Sequence, residues 1–336
     1  MVPASINQIS SILGSDPLIV QGGGGNISFK DRNSNSIWIK ASGKWLENAQ
    51  KENIYLQLAL DLGKEWLASG EHDFPAHWQK AGGQEQHLRA SIETSLHLLF
   101  DEPVVVHTHP VNILSHVVQK NPQELLSARL AGFNWALSPY VKPGRDLANA
   151  IGALPQFGQC DFFILQNHGL VVCAATAQEA QDMTLEVIAA LALPQRSSVV
   201  DMAALESIAP TIAKYGYRLP SDPTIHQLAC DASAFESISQ VNNVLYPDQA
   251  VFLGKNAFII DGIEQMRAAM KAPYIVFKGL GVFIQEQASA MVEAMLLCHA
   301  QVLLRIAPGS TLNYLSDAQV AELTNWDAEK YRQSIN

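Results

Sequence analysis

The sequence predicts a mixed α and β fold, and three observations predict it. Helix-like and strand-like segments alternate along the first 200 residues. Two apolar runs, "VVVHTHP" at 104–110 and "DFFILQNHGLVVCAA" from 161, have the β-branched density of buried strands. A later stretch, "APYIVFKGLGVFIQEQASAMVEAMLLCHAQVLL", echoes the second run and the helix after it.

In order, a helix-like opening leads to "QGGGGNISFKDRNSNSIWIKASG", where Ile27, Phe29, Ile37 and Ile39 flank the polar "DRNSNS" and predict a hairpin. "NIYLQLALDLGKEWLA" has helical periodicity, "EHDFPAHWQKAGGQEQH" predicts an irregular loop, and "RASIETSLHLLF" returns to helix with Ile92, Leu96 and Leu99 on one stripe. After the valine-rich strand come the helix-like "PQELLSARL", the loop "WALSPYVKPGRDLANAI", the second buried strand, and a long helix over "TAQEAQDMTLEVIAALAL". Prolines at 194, 210, 220 and 223 mark a domain boundary near residue 200, giving segments 1–200 and 201–336. A gapless pairing of the two echoing stretches puts Gly279 where His168 stands, so a second half built the same way lacks that histidine. A degenerate repeat and a chance likeness of two generic strand–helix units both stay open.

With 336 residues, 48% hydrophobic and 16% charged, the chain is globular and has ample core. A net charge of −10 argues against nucleic acid and anionic membrane as partners, though not against a local pocket for a small anion. The N-terminus lacks the basic and apolar regions of a secretory signal, and no run reaches a membrane span, so a cytoplasmic protein is expected. Cys160, Cys173, Cys230 and Cys298 have no CxxC spacing and read as reduced core thiols. Any metal here has to be held by histidine and carboxylate.

In a strand, alternate side chains share a face, so His107 and His109 point the same way and can hold one metal; the spacing alone equally allows two satisfied polar residues at a strand end. His168 in "QNHGLVV" ends an apolar strand beside Gly169. Glu93 precedes the first strand by one helix, and a surface pair with His97, four residues on, is its plain alternative. "GGGGN" lets backbone N–H groups approach an anion without Cβ obstruction, and Asn26 adds a donor. His72, His77 and His87, with Asp73, fit no ligand pattern and are expected to be exposed. Trp38, Trp45, Tyr55 and Trp66 read as core and interface.

The ordered set "GGGGNIS", "ASG", Glu93, "HTHP" and "NHGL" over some 150 residues resembles the class II aldolase/adducin family. Within it, "GGGGN" and "PYVKPG" look most like the aldolase portion of the longer rhamnulose-phosphate aldolase proteins that also carry a dehydrogenase domain, although no GxGxxG opening a βα unit follows residue 200. The resemblance implies a three-layer α/β/α fold with a mainly antiparallel central sheet, followed by a C-terminal α+β region without metal ligands. It implies Zn2+, or another divalent metal, on His107, His109 and His168, with Glu93 as catalytic proton carrier. Gly25, Asn26, Ser42, Gly43 and Ser91 match positions that hold substrate phosphate in fuculose-phosphate aldolases. The activity implied is retro-aldol cleavage of a ketose phosphate through a metal-stabilised enediolate, in a homo-oligomer. A sugar-phosphate epimerase, a methylthioribulose-phosphate-type dehydratase and a non-catalytic adducin-like scaffold are the alternatives; Glu rather than Asp at 93 disfavours the first, and the intact ligand set the last. There are three departures: Gly23 and Ile92 replace a threonine and a serine of the phosphate site, and Ala128 stands about where the fuculose enzymes carry a tyrosine. Lys142 and Arg145 either supply replacement charge or are solvated loop residues.

Overall fold

Ladder pairing places the glycine-rich turn, the valine-rich strand and the "QNHG" turn at one end of a single sheet. A computed structural model describes residues 2–71, 88–269 and 271–335. His72, Asp73, His77 and His87 lie outside the described residues. The chain divides into two compact units, residues 1–117 with 121–192 and residues 118–120 with 193–334.

Unit 1 runs α1 (Ala4–Gly14), β1 (Asn26–Asp31), β2 (Ser36–Lys40), β3 (Tyr55–Ala59), α2 (Leu60–Ser69), α3 (Thr94–Leu99), β4 (Val104–Thr108), α4 (Val111–Val117), α5 (Pro122–Ser127), β5 (Trp135–Ser138), α6 (Arg145–Gly152), β6 (Phe162–Leu165), β7 (Gly169–Ala174) and α7 (Ala177–Ala190). The seven strands are ordered β3-β2-β1-β4-β7-β6-β5. Every neighbouring pair is antiparallel except β5 with β6. The helices α2, α3 and α6 cover one face, where Leu96 of α3 and Leu147 of α6 pack on Val105, Phe163 and Val171. Helices α1, α4 and α7 contact the strands from the other side, completing three layers. Trp38, Tyr55 and Trp66 are buried in this core.

Three local expectations are corrected. "YLQLA" is strand β3, because its period-2 alternation pairs residue by residue with β2; the helix begins only at Leu60. "WALS" is edge strand β5, paired in parallel with β6 and ended by Pro139, and helix α6 follows where the sequence predicts a loop. The run from 161 is a hairpin, turned at Gln166–His168 with Asn167 at φ 54°.

Unit 2 holds a four-stranded sheet, β8 (Tyr217–Arg218), β9 (Phe258–Ile260), β10 (Tyr274–Phe277) and β11 (Gly281–Gln285), in the order β8-β11-β10-β9. Pro210 lies inside the helix Met202–Ala213 rather than in a linker. The pairing of β9 with β10 is parallel, while β10–β11 and β11–β8 are antiparallel. That is the order and sense of β4-β7-β6-β5 in unit 1. In both units a 14-residue helix follows the hairpin. Leu165 pairs with Gly169 and Phe277 with Gly281, so Leu280, not Gly279, takes the place of His168. Gly279, at φ 71°, corresponds to Asn167. Extending the ladders, Arg218 opposite Ile284 matches Val106 opposite Val172, which puts Leu219 and Ser221 where unit 1 has His107 and His109.

Candidate metal centre

His107 is the fourth residue of β4, a strand buried along its length because valines fill both faces. In an antiparallel ladder opposed residues share a face, so His107 lies with Val171 and Phe163 on the side covered by α3. Glu93 immediately precedes α3, and its backbone N–H is taken by Ser91 Oγ at 3.3 Å. His109 follows β4, and His168 closes the β6–β7 turn. Gly169 is required there, because a Cβ would overlap the Thr108 carbonyl.

These four side chains converge, their ligand atoms all within 4.8 Å of one another. Glu93 Oε1 lies 3.0 Å from His107 Nε2 and 3.4 Å from His168 Nε2. The Nε2 atoms of His107 and His109 are 3.1 Å apart. All are buried, at 8% exposure for Glu93, 0% for His107, 7% for His109 and 4% for His168. His107 Nδ1–H donates to Leu170 O at 2.8 Å, which fixes the ring and leaves its Nε2 lone pair aimed into the cluster. Facing lone pairs repel unless a cation or proton sits among them, so this donor set fits a divalent metal. Burial raises the Glu93 carboxyl, but the charge and hydrogen bonds of His107 and His168 outweigh it and hold the group well below the usual carboxylate range. Burial pushes His168 down to about 4, against the lift from Glu93, so it is neutral and able to ligate at neutral pH. Glu93 is not the surface partner of His97, whose Nδ1 instead meets Ser28 Oγ at 2.8 Å.

Among the anion candidates, Asn26 opposes His107 across the β1–β4 ladder. Gly25, at φ 62°, precedes it, and a Cβ there would press on His107 O at 3.1 Å. Ser42 N–H donates to Arg89 O at 2.9 Å, which joins the Ser42–Gly43 turn to the segment leading into Ser91. Ala128 is exposed just beyond α5, and Lys142 is half-buried. Arg145 is not a solvated loop residue. Its guanidinium donates to the carbonyls of Trp66, Leu67 and Glu71 and stacks on the Trp66 ring at 4.8 Å, serving the C-terminal end of α2. Sequence reasoning passed over Gln21, which donates to His109 O at 3.3 Å, and Lys40; a lysine closing the buried strand "SIWIK" was the available signal for the second.

A family model described as the class II aldolase and adducin N-terminal domain matches residues 8–193, more than half of the chain. The chain belongs to the class II aldolase and adducin family. A relative, the "uncharacterized oxidoreductase YuxG" of Bacillus subtilis (strain 168), is 28% identical over 193 residues, covering 53% of this chain. The match spans only 27% of that relative's length. Among solved structures, the N-terminal class II aldolase domain of a conserved Thermoplasma acidophilum protein matches at 25% identity, 56% of this chain and 90% of its own, TM-score 0.46. The L-fuculose-1-phosphate aldolase of Thermus thermophilus matches at 17% identity, 56% and 89%, TM-score 0.38. Among the described residues, Glu93, His107, His109 and His168 are the one metal-type group of the chain, and no helix is long and apolar enough to cross a membrane.

Proposed function

We propose that this member of the class II aldolase family is a metal-dependent aldehyde-lyase that cleaves a ketose phosphate by retro-aldol reaction. The convergence of Glu93 with three buried imidazoles is the observation that carries the proposal. His107, His109 and His168 would hold the metal, and three neutral nitrogens favour zinc among the divalent ions. When bound, such an ion acts as a Lewis acid that stabilises negative charge on substrate oxygen.

The remaining work falls to protein groups. Leu170 O orients His107 through Nδ1 and so keeps Nε2 available. Glu93, ionised at neutral pH because of its imidazole neighbours, takes up the proton released by the substrate hydroxyl whose carbon becomes the aldehyde and returns it to the carbon beside the carbonyl once the carbon–carbon bond has broken. Gly25, Asn26, Ser42, Gly43 and Ser91 hold the substrate's phosphate end, with backbone and side-chain donors near the His107 ladder partner. Residues 1–200 form the catalytic domain and 201–336 an extension without metal ligands. The four unbridged cysteines suit a reducing, cytoplasmic compartment, and we take the protein to work as a homo-oligomer on a small-molecule substrate. The oxidoreductase name belongs to a relative of which about a quarter is matched, and does not transfer.

The test is a panel of phosphorylated and unphosphorylated ketoses incubated with the metal-replete chain and assayed for aldehyde release. Cleavage of a ketose 1-phosphate to a three-carbon ketone phosphate and a hydroxyaldehyde is expected. Loss of water without carbon–carbon cleavage would instead assign a dehydratase.

A further inference from the structure

Lys40 ends β2 and is only 2% exposed, in a strand buried along its whole length. It opposes Tyr55 in the β2–β3 ladder, and Tyr55 carries its hydroxyl to Ser10 of α1. The lysine therefore runs to the α1 side of the sheet, away from the face that bears His107, and does not reach a substrate at the metal centre directly.

Its Nζ donates to Gly23 O at 2.8 Å and to Lys44 O at 2.7 Å. The Gly23 carbonyl shares a peptide with the Gly24 N–H, which closes a turn on Gln21 O at 2.9 Å. Lys44 closes the second turn, its N–H on Ala41 O at 3.2 Å. One ammonium thus fastens the turn that delivers Gly25 and Asn26 to the turn that contains Ser42 and Gly43. A carbonyl that accepts from a cation is polarised, and so is the N–H of the same peptide, which strengthens the turn it closes. Asn26 is tied to the same residue, Nδ2 to Lys40 O at 3.5 Å. A buried ammonium is costly to desolvate, and its positive charge behind these two turns adds to the potential felt by an anion held on their other side.

We propose that Lys40 is the positioning residue of the anion-binding side of the site, setting the relative placement of the two turns and supplying positive potential behind them for a phosphate group of the substrate. This rests on the reading of Gly25, Asn26, Ser42 and Gly43 as phosphate-binding. The probe is inorganic phosphate, titrated into the metal-replete full chain and read by thermal shift and by competition with substrate. Lys40→Met and Lys40→Gln are compared with Lys30→Met, which removes another buried lysine of the same sheet, one that donates to Glu102 O.

The expected result is a phosphate Kd raised tenfold or more in both Lys40 variants and unchanged in Lys30→Met, with metal content retained in all. KM for a phosphorylated substrate should rise by a similar factor, while KM for an unphosphorylated analogue and kcat move little. Should Lys40→Met not fold, Lys40→Gln, which keeps a neutral donor, carries the measurement. Unchanged phosphate affinity in the Lys40 variants, with a wild type that binds phosphate, would overturn the role of Lys40 alone. Equal loss of metal and phosphate would assign Lys40 to general stability and also overturn it. A wild type blind to phosphate would overturn the phosphate reading and this proposal with it, leaving the metal centre untouched.

Discussion

Glu93→Gln isolates the proton-transfer role from the metal. The substitution keeps the shape of a side chain that is 8% exposed and removes one negative charge beside the Nε2 atoms of His107 and His168, 3.0 and 3.4 Å from Oε1. Because the carboxyl is held well below the ordinary range, it is fully ionised at neutral pH, and the wild type loses no rate to protonation there. The whole contribution of a general base is then forfeited, about 10²–10⁴ in kcat, or roughly 2.7–5.5 kcal/mol in barrier. Three imidazoles remain, so metal content should stay near that of the wild type and the circular dichroism spectrum unchanged. Aldehyde release under single-turnover conditions, with elemental analysis of the same sample, makes the measurement. A variant turning over within about threefold of wild type would remove Glu93 from the chemistry, a drop far smaller than general acid–base groups give. A variant that loses its metal together with its rate would make Glu93 a ligand instead.

The double change His107→Ala with His109→Ala should abolish metal binding by elemental analysis while far-ultraviolet circular dichroism persists; stoichiometric metal in that protein would refute the assigned ligand set. Arg145→Ala should lower stability by about 3 kcal/mol, the scale of losing charge-assisted hydrogen bonds, which is roughly 6–12 °C in melting temperature, with metal content intact. An unchanged melting curve would show that the carbonyls of Trp66, Leu67 and Glu71 do not need it. Metal-free protein should lose stability as pH falls from about 6.5 toward 4. The His168 imidazole, ordinarily near 6.5, is pushed to about 4, so the unfolded chain binds more protons in that window. The loss is on the order of 3 kcal/mol, and Glu93, held low, adds to it below the ordinary carboxylate value. Urea titrations at pH 7.5 and 5 that coincide would contradict this.

Much of the site was legible because its parts are local. A β-branched run with histidine at alternate positions sets side-chain direction by geometry alone, and a glycine cluster ahead of Asn26 signals close backbone approach. Convergence was legible only through the ordered motifs, since Glu93 and His168 are 75 residues apart and nothing local tells them to meet. What was missed depends on long-range partners. Arg145 finds its carbonyls 74 to 79 residues away, where a loop position says nothing of burial. Strand β3 was hidden because its alternation runs straight into the helical pattern of α2, so a period-3.6 window absorbed it. Edge strand β5 was hidden by length, four residues before a proline.

The second unit separates what the backbone of this fold demands from what the chemistry demands. Its hairpin keeps the same three-residue turn, with a positive φ met by Gly279 where unit 1 uses Asn167. It also keeps the glycine that opens the next strand, although for different neighbours. A Cβ at Gly281 would crowd Leu205 and His226, whereas one at Gly169 would strike the Thr108 carbonyl. Both glycines answer to space, and the positive φ answers to the turn, so these positions follow from the architecture. The residue between them does not: His168 in one unit is Leu280 in the other, with the same strand pairing on either side. At the matching end of β8 the polar groups close on one another, Glu293 taking the Ser221 N–H and pairing with Arg218 at 3.0 Å. The topology therefore supports a turn and a strand end without requiring a metal, and the class II aldolase chemistry proposed for unit 1 resides in three imidazoles and one carboxylate placed on positions the fold leaves free.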